Sequence, residues 1–205
     1  KSVGDIKWND PLIYEMFQKA DTLCIPEFET DFIRDMLIKT KPQNFNDLVK
    51  ISGLCHGTNV WTDNGEFLIK KGVSLSAIPT LRDDIMNDLI SVGANREDAF
   101  KISEAVRKGL FAREKANDEI INLFKELTKP LGNWYFDYCS KIRYMFPKAH
   151  AAAYVINAVR LAWFKKYYPK DFYEAYLSSY LSNPYNLNPE EKEKYDLIKK
   201  LLDNV

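Results

Sequence analysis

Apolar residues recur at helical rather than alternating spacing along most of this chain, and helix-stopping residues punctuate them. Phe28, Phe32, Ile33, Met36 and Leu37 repeat on one helical face before Pro42. Ile85, Met86, Leu89 and Ile90 do the same before Gly93. Asp10-Pro11 pairs a capping acid with a proline at the first helical position, and Asn95 caps another start. No run alternates convincingly and no hairpin turn joins two such runs. The spacing therefore predicts a mostly α fold with little or no sheet. Helices are expected over 12–20, 26–39, 66–71, 81–92, from Asn95 to near Gly109, and over 113–128, 133–146, 149–167, 170–181 and 189–202. Residues 45–50 read as a short helical turn. The glycine-punctuated stretch Ile51-Ser52-Gly53-Leu54-Cys55-His56-Gly57-Thr58 reads as irregular.

Several chemistries are excluded early. Basic and acidic residues number 29 each, so the formal charge is zero and any polyanion must be met locally. Cys24, Cys55 and Cys139 are odd in number and widely spaced, which argues against a disulfide scaffold and favours a reducing compartment. No Walker loop, G-x-G-x-x-G, H-E-x-x-H or G-x-S-x-G occurs. The longest apolar stretch, 151–164, is interrupted by Asn157 and Arg160 and is too short and polar to span a bilayer. Residues 1–10 lack the apolar core of a secretory signal. A start at Lys1 suits a piece of a longer chain. Glu27, Glu29 and Asp31, and the pair Asp83 and Asp84, are expected at helix starts, where acids complement the helix dipole; no metal site is expected.

Charge is segregated where the composition is not. From Tyr138 to Lys170 there is no acid, while Lys141, Arg143, Lys148, Arg160, Lys165, Lys166 and Lys170 are basic, which makes one positive region. Within it, Phe146-Pro147-Lys148-Ala149-His150-Ala151-Ala152-Ala153-Tyr154 opens a helix whose small residues allow close approach. Its free N–H groups could meet a phosphate. His150, Asn157 and Arg160 fall on one polar stripe. The 52–58 stretch offers Ser52, His56 and Thr58 as donors beside glycines. Cys55 and His56 are adjacent, a poor arrangement for a thiolate–imidazole pair. Arg82, Arg107 and Lys108 supply cations suited to phosphate oxygens. For each, the plain alternative is a solvated surface charge or a satisfied core group.

Taken in order, Ile51 to Trp61, Arg82-Asp-Asp-Ile-Met86, Ala99-Phe-Lys-Ile102 with Val106-Arg-Lys-Gly109, and Tyr144 to Val155 resemble the fingers region of PolC-type bacterial replicative DNA polymerase III alpha subunits, the family C DNA polymerases. The likeness runs from about Asp10 to Tyr180. The Lys-Ala-His-Ala-Ala-Ala-Tyr run also marks DnaE-type relatives, and Ser-Gly-Leu-x-His-Gly-Thr points to the PolC branch. The resemblance implies a multi-helix fingers domain over 45–182, a connecting segment over 1–44, and a charged helix over 183–205 leading out. It implies a cytoplasmic, template-directed nucleotidyltransferase in a longer chain. The fragment alone would be inactive, because the catalytic aspartates and their Mg²⁺ belong to a palm whose motif is absent here.

Its implied partners are dNTP, template-primer DNA, the other polymerase domains and replisome subunits such as the sliding clamp, with no membrane. Carried over by motif, Arg82, Arg107 and Lys108 are triphosphate contacts. Lys148 and His150 face the nucleotide or nearby DNA, and Ser52, His56 and Thr58 line the nucleotide pocket. Lys141, Arg143 and Arg160 are assigned to DNA. The chain departs from the family pattern at Cys55 (commonly Ser), at Asn59 (commonly Asp), in a shorter stretch between Phe17 and Ile25, and in Leu110-Phe111 where glycines usually follow. The competing reading is a non-enzymatic helical module that binds DNA or protein.

Overall fold

The computed structural model describes Gly4 and residues 6–204; readings that fall on residues 1–3, 5 and 205 lie outside it. Among the described residues the chain forms eleven α-helices: α1 (Pro11–Gln18), α2 (Asp31–Thr40), α3 (Phe45–His56), α4 (Glu66–Lys70), α5 (Arg82–Ser91), α6 (Arg96–Arg107), α7 (Asp118–Thr128), α8 (Asn133–Lys141), α9 (Lys148–Tyr167), α10 (Pro169–Tyr180) and α11 (Pro189–Leu202). The only β pairing there is an isolated antiparallel bridge between Thr58 and Tyr144. The fold is mostly α, as expected. No helix among them is long and apolar enough to cross a membrane.

Local chemistry sets the helix starts. Asp10, Asn44, Asn95, Asn117 and Asn188 each accept a hydrogen bond from a backbone N–H of the first turn. Proline follows the cap in α1 and α11, where its missing N–H costs nothing.

Four boundaries differ from expectation, one being the helix expected from residue 113, which begins only at Asp118 behind its cap Asn117. Residues 45–50 do not stop as a short turn; α3 continues through Ile51–His56. Gly53 is needed in this helix because a Cβ there would lie 2.7 Å from the Thr80 carbonyl oxygen. Its glycine serves a close approach of the chain to itself, not to a ligand. The helix expected over 133–146 ends at Lys141, since Ile142 turns extended and residues 143–145 pair with other backbone. The helix expected from residue 26 begins only at Asp31, so Glu27 and Glu29 lie in the preceding loop and not at a helix start.

One apolar core runs from Ile6 to Ile198. The twenty-residue α9 is its axis, burying Ala151, Val155, Ala158, Val159, Ala162 and Trp163 against α1, α3 and α10. Tyr138, fully buried, donates to the Pro79 carbonyl at 2.9 Å, as a buried hydroxyl requires. Phe111, which stands where glycines usually follow in the family pattern, packs on Phe124 and Phe136.

The segment 143–145 is the junction of the molecule. Thr58 N–H donates to the Tyr144 carbonyl at 2.9 Å, and Arg143 N–H donates to the Thr58 carbonyl at 3.0 Å. Met145 N–H donates to the Arg107 carbonyl at 3.2 Å. Gly109 has φ +67°, and a Cβ on it would fall on the Arg143 carbonyl oxygen and 2.7 Å from the Arg143 Cα. Gly109→Ala is therefore expected to destabilise the chain by about 1–3 kcal/mol, through the left-handed backbone and a clash with immovable main chain. Urea denaturation would show this, with Gly93→Ala, also at positive φ but in open space, costing less.

Candidate functional site

The start of α5, the end of α6 and the start of α9 enclose an open cleft of about 440 Å³ lined by Arg82, Asp83, Phe100, Glu104, Arg107, Pro147, Lys148 and Ala149. Each side chain has a sequence reason to be there. Arg82 follows the loop that Asp84 caps, where the Asp84 carboxylate accepts from the Thr80 N–H at 3.0 Å and the Leu81 N–H at 3.3 Å. Arg107 ends α6, and the positive φ of Gly109 turns the chain away. Lys148 and Ala149 open α9 behind Pro147, with no side-chain cap, so the first N–H groups of a long helix face this region unpaired by any capping side chain.

Glu104 organises the cations. Its Oε1 lies 2.9 Å from Arg107 Nε and 3.2 Å from Arg82 Nη1, while Oε2 lies 3.0 Å from Arg107 Nη2. Lys108 Nζ stands 3.5 Å from Oε2. Arg82 also reaches Asp83 at 3.2 Å and lies over the exposed Phe100 ring, 5.9 Å from its centroid. Behind them, Asp84 meets the buried Lys50 at 3.3 Å and Lys148 at 3.7 Å. At the cleft itself the cations Arg82, Arg107 and Lys148 face the carboxylates Asp83 and Glu104, leaving one positive charge in excess.

The other expected residues distribute around this centre. His56 packs its ring 4.9 Å from Phe146, which neighbours His150 at 6.1 Å and stacks on Tyr154 at 6.4 Å. His150 is exposed and follows the cleft-lining Lys148 and Ala149. Thr58 is exposed and held by the bridge to Tyr144. Arg143 is brought in through that bridge, and Lys141 is exposed just before it. Two residues are not brought in. Ser52 does not line an open pocket: it is 1% exposed, because α3 is continuous and turns it into the core. Arg160 lies three turns along α9, over the Trp8 ring at 5.9 Å. The sequence reading missed Glu104, Phe100 and Asp84's caging of Lys50 and Lys148. An acid three residues before Arg107 and four before Lys108 was the available signal for Glu104.

The guanidinium of Arg107, bonded twice to it, holds the Glu104 carboxyl down at about 2. Since that lies below the ordinary 4.5, its stabilising effect is full above pH 4.5 and is lost as pH falls toward 2. Glu104→Gln should lower stability at pH 7 by roughly 1 kcal/mol, the pair being open to solvent. It should also flatten the acid limb between pH 4.5 and 2. Denaturation midpoints across pH would check both.

The family described as bacterial DNA polymerase III alpha subunit finger domain matches residues 2–127. The proteins named DNA polymerase III PolC-type from Staphylococcus aureus strains MW2 and USA300 are each 49% identical over 165 residues, 80% of this chain. The chain spans 11% of the length of either relative. On the convergence of its motifs and on this match, the chain belongs to the bacterial DNA polymerase III alpha subunit finger domain family.

Proposed function

We propose that this chain is the fingers of a PolC-type replicative DNA polymerase and that its cleft receives the triphosphate of the incoming dNTP. The observation that carries this reading is the surplus of cations at the cleft. Arg82, Arg107 and Lys148 arrive from three separate elements, and the two acids that line the cleft with them, Asp83 and Glu104, leave one positive charge unmatched there. Arginine forks suit phosphate oxygens, and the N-terminus of α9 adds backbone donors and a favourable dipole. Without nucleotide the cations lean on Glu104, Asp83 and Asp84, which fix their positions before a ligand arrives. With nucleotide, phosphate oxygens share or take those bonds. The row of Phe146, His150 and Tyr154 rings borders the same helix start and offers apolar surface beside a charged cleft.

In this reading the polymerase is cytoplasmic, and template-primer DNA follows Lys141 and Arg143 of the segment that carries no acid of its own, with Arg160 farther along α9. The rest of the chain and replisome partners, a sliding clamp among them, complete the enzyme. A divalent metal is expected of such a polymerase, but the cleft's carboxylates do not fit a metal site. Asp83, Asp84 and Glu104 are each taken by cations of this chain, and among the described residues no group of three or more metal-donor side chains converges. The ligands of Mg²⁺ are assigned to sequence outside this segment.

The test is made in the full-length polymerase that carries this segment. Arg107→Ala should raise KM for all four dNTPs about 10–100-fold, the scale of a lost charge-assisted contact, with template-primer affinity little changed. Unchanged KM for every dNTP, in Arg107→Ala and in Arg82→Ala alike, would overturn the reading. Duplex binding with a steep salt slope and no dNTP dependence would favour a non-enzymatic DNA-binding module instead.

A further inference from the structure

We propose that Glu27 is a positioning residue for the nucleotide site, acting through His56 and Phe146. The proposal rests on the reading above. His56 ends α3 and its ring packs against Phe146, the residue before cleft-lining Pro147. His56 Nε2 is closed to solvent, and the Glu27 carboxylate lies 2.9 Å away, though not along the direction of a good hydrogen bond. A shielded ring nitrogen needs a polar neighbour, and this carboxylate provides it. The side chains are 29% and 32% exposed, so the contact is partly shielded from water.

The loop carrying Glu27 is built as a fixed post. Glu27 itself has φ +70°, a left-handed conformation that a non-glycine residue adopts only when its surroundings enforce it. They do so on both sides. Lys165, buried in α9, donates to the Asp21 carboxylate at 2.6 Å and to the Leu23 carbonyl at 3.2 Å. Glu29 accepts from the Cys24 N–H at 3.0 Å and meets Lys194 of α11 at 2.6 Å. Phe28 between the two acids is fully buried on Phe17. Glu27 is thus held against His56 by α9, α11 and the core. His56 in turn limits where Phe146 can sit. Phe146 is flanked by Met145, bonded to the Arg107 carbonyl, and by Pro147 and Lys148 of the cleft. A shift of Phe146 moves the start of α9 relative to Arg107.

The experiment measures dNTP KM and kcat in the full-length polymerase for Glu27→Ala, Glu27→Gln, His56→Ala and the double variant, with thermal midpoints and template-primer affinity alongside. Glu27→Ala should raise KM roughly 5–20-fold with a smaller change in kcat, as expected for loss of one partly exposed polar contact. Glu27→Gln keeps an oxygen acceptor and should stay within about threefold of wild type. In the His56→Ala background, Glu27→Ala should add nothing further. An unchanged KM in Glu27→Ala overturns the proposal, as does an equal cost with and without His56. Should Glu27→Ala fail to fold, Glu27→Met keeps the volume and takes its place in the same cycle. Arg107→Ala measured in parallel separates the two failures. If it raises KM while Glu27→Ala does not, only the positioning role falls; if neither does, the nucleotide site falls with it.

Discussion

Four backbone hydrogen bonds on residues 143–145 join parts of the chain that are far apart in sequence. Thr58, at the end of the glycine-rich motif, exchanges bonds with Arg143 and Tyr144, and Arg107 receives one from Met145. Main-chain bonds fix position more tightly than side-chain contacts, because they leave no rotamers free. They set the end of α3, the end of α6 and the entry to α9 in one frame. Gly109 makes the frame possible, since its backbone runs against Arg143 with no room for a Cβ. Both the cation cleft and the aromatic row depend on that frame for their geometry.

Within the frame, electrostatics must hold like charges together. Arg82 and Arg107 share one carboxylate oxygen, an arrangement that would repel without Glu104 between them. Lys50, largely buried, is satisfied by the Ile78 carbonyl at 2.7 Å and by Asp84. That leaves Lys148, more exposed and 3.7 Å from the same carboxylate, as the cation most easily recruited by another anion. The gradient runs from a fixed inner pair to looser outer charges. Such a site is ordered when empty yet able to give its outer cations to a ligand, because exposed ion pairs are weak.

The parts legible in the sequence are those decided locally. Capping residues Asp10 and Asn95 placed their helices because a cap acts on its own first turn. Arg82, Arg107 and Lys148 were legible as cations, and the order of motifs linked them. What was not legible depends on neighbours distant in sequence. Gly53 reads as a breaker, yet it sits in a helix because Thr80 presses on it. Ser52 reads as a donor facing a ligand, yet continuity of α3 buries it. Residues 142–146 read as helix, but backbone partners on Thr58 and Arg107 pull residues 143–145 out of it. Glu27 reads as an acid at a helix start, and the spacing of Glu104 to Arg107 and Lys108 shows only its local partners, since Arg82 and His56 reach these acids from elsewhere in the chain.

Those two acids do related work at different distances from the cleft. Glu104 touches the cations directly and gains from them, its proton affinity falling far below the ordinary range. Glu27 touches none of them. It acts on the aromatic side of the junction, where position is set by packing instead of charge. The cost of its left-handed backbone is carried by Lys165, Lys194 and the burial of Phe28. A strained residue clamped from both sides resists displacement better than a relaxed one on a free loop. The strain is thus a reason to look to Glu27 for precision in the site, and not for its chemistry.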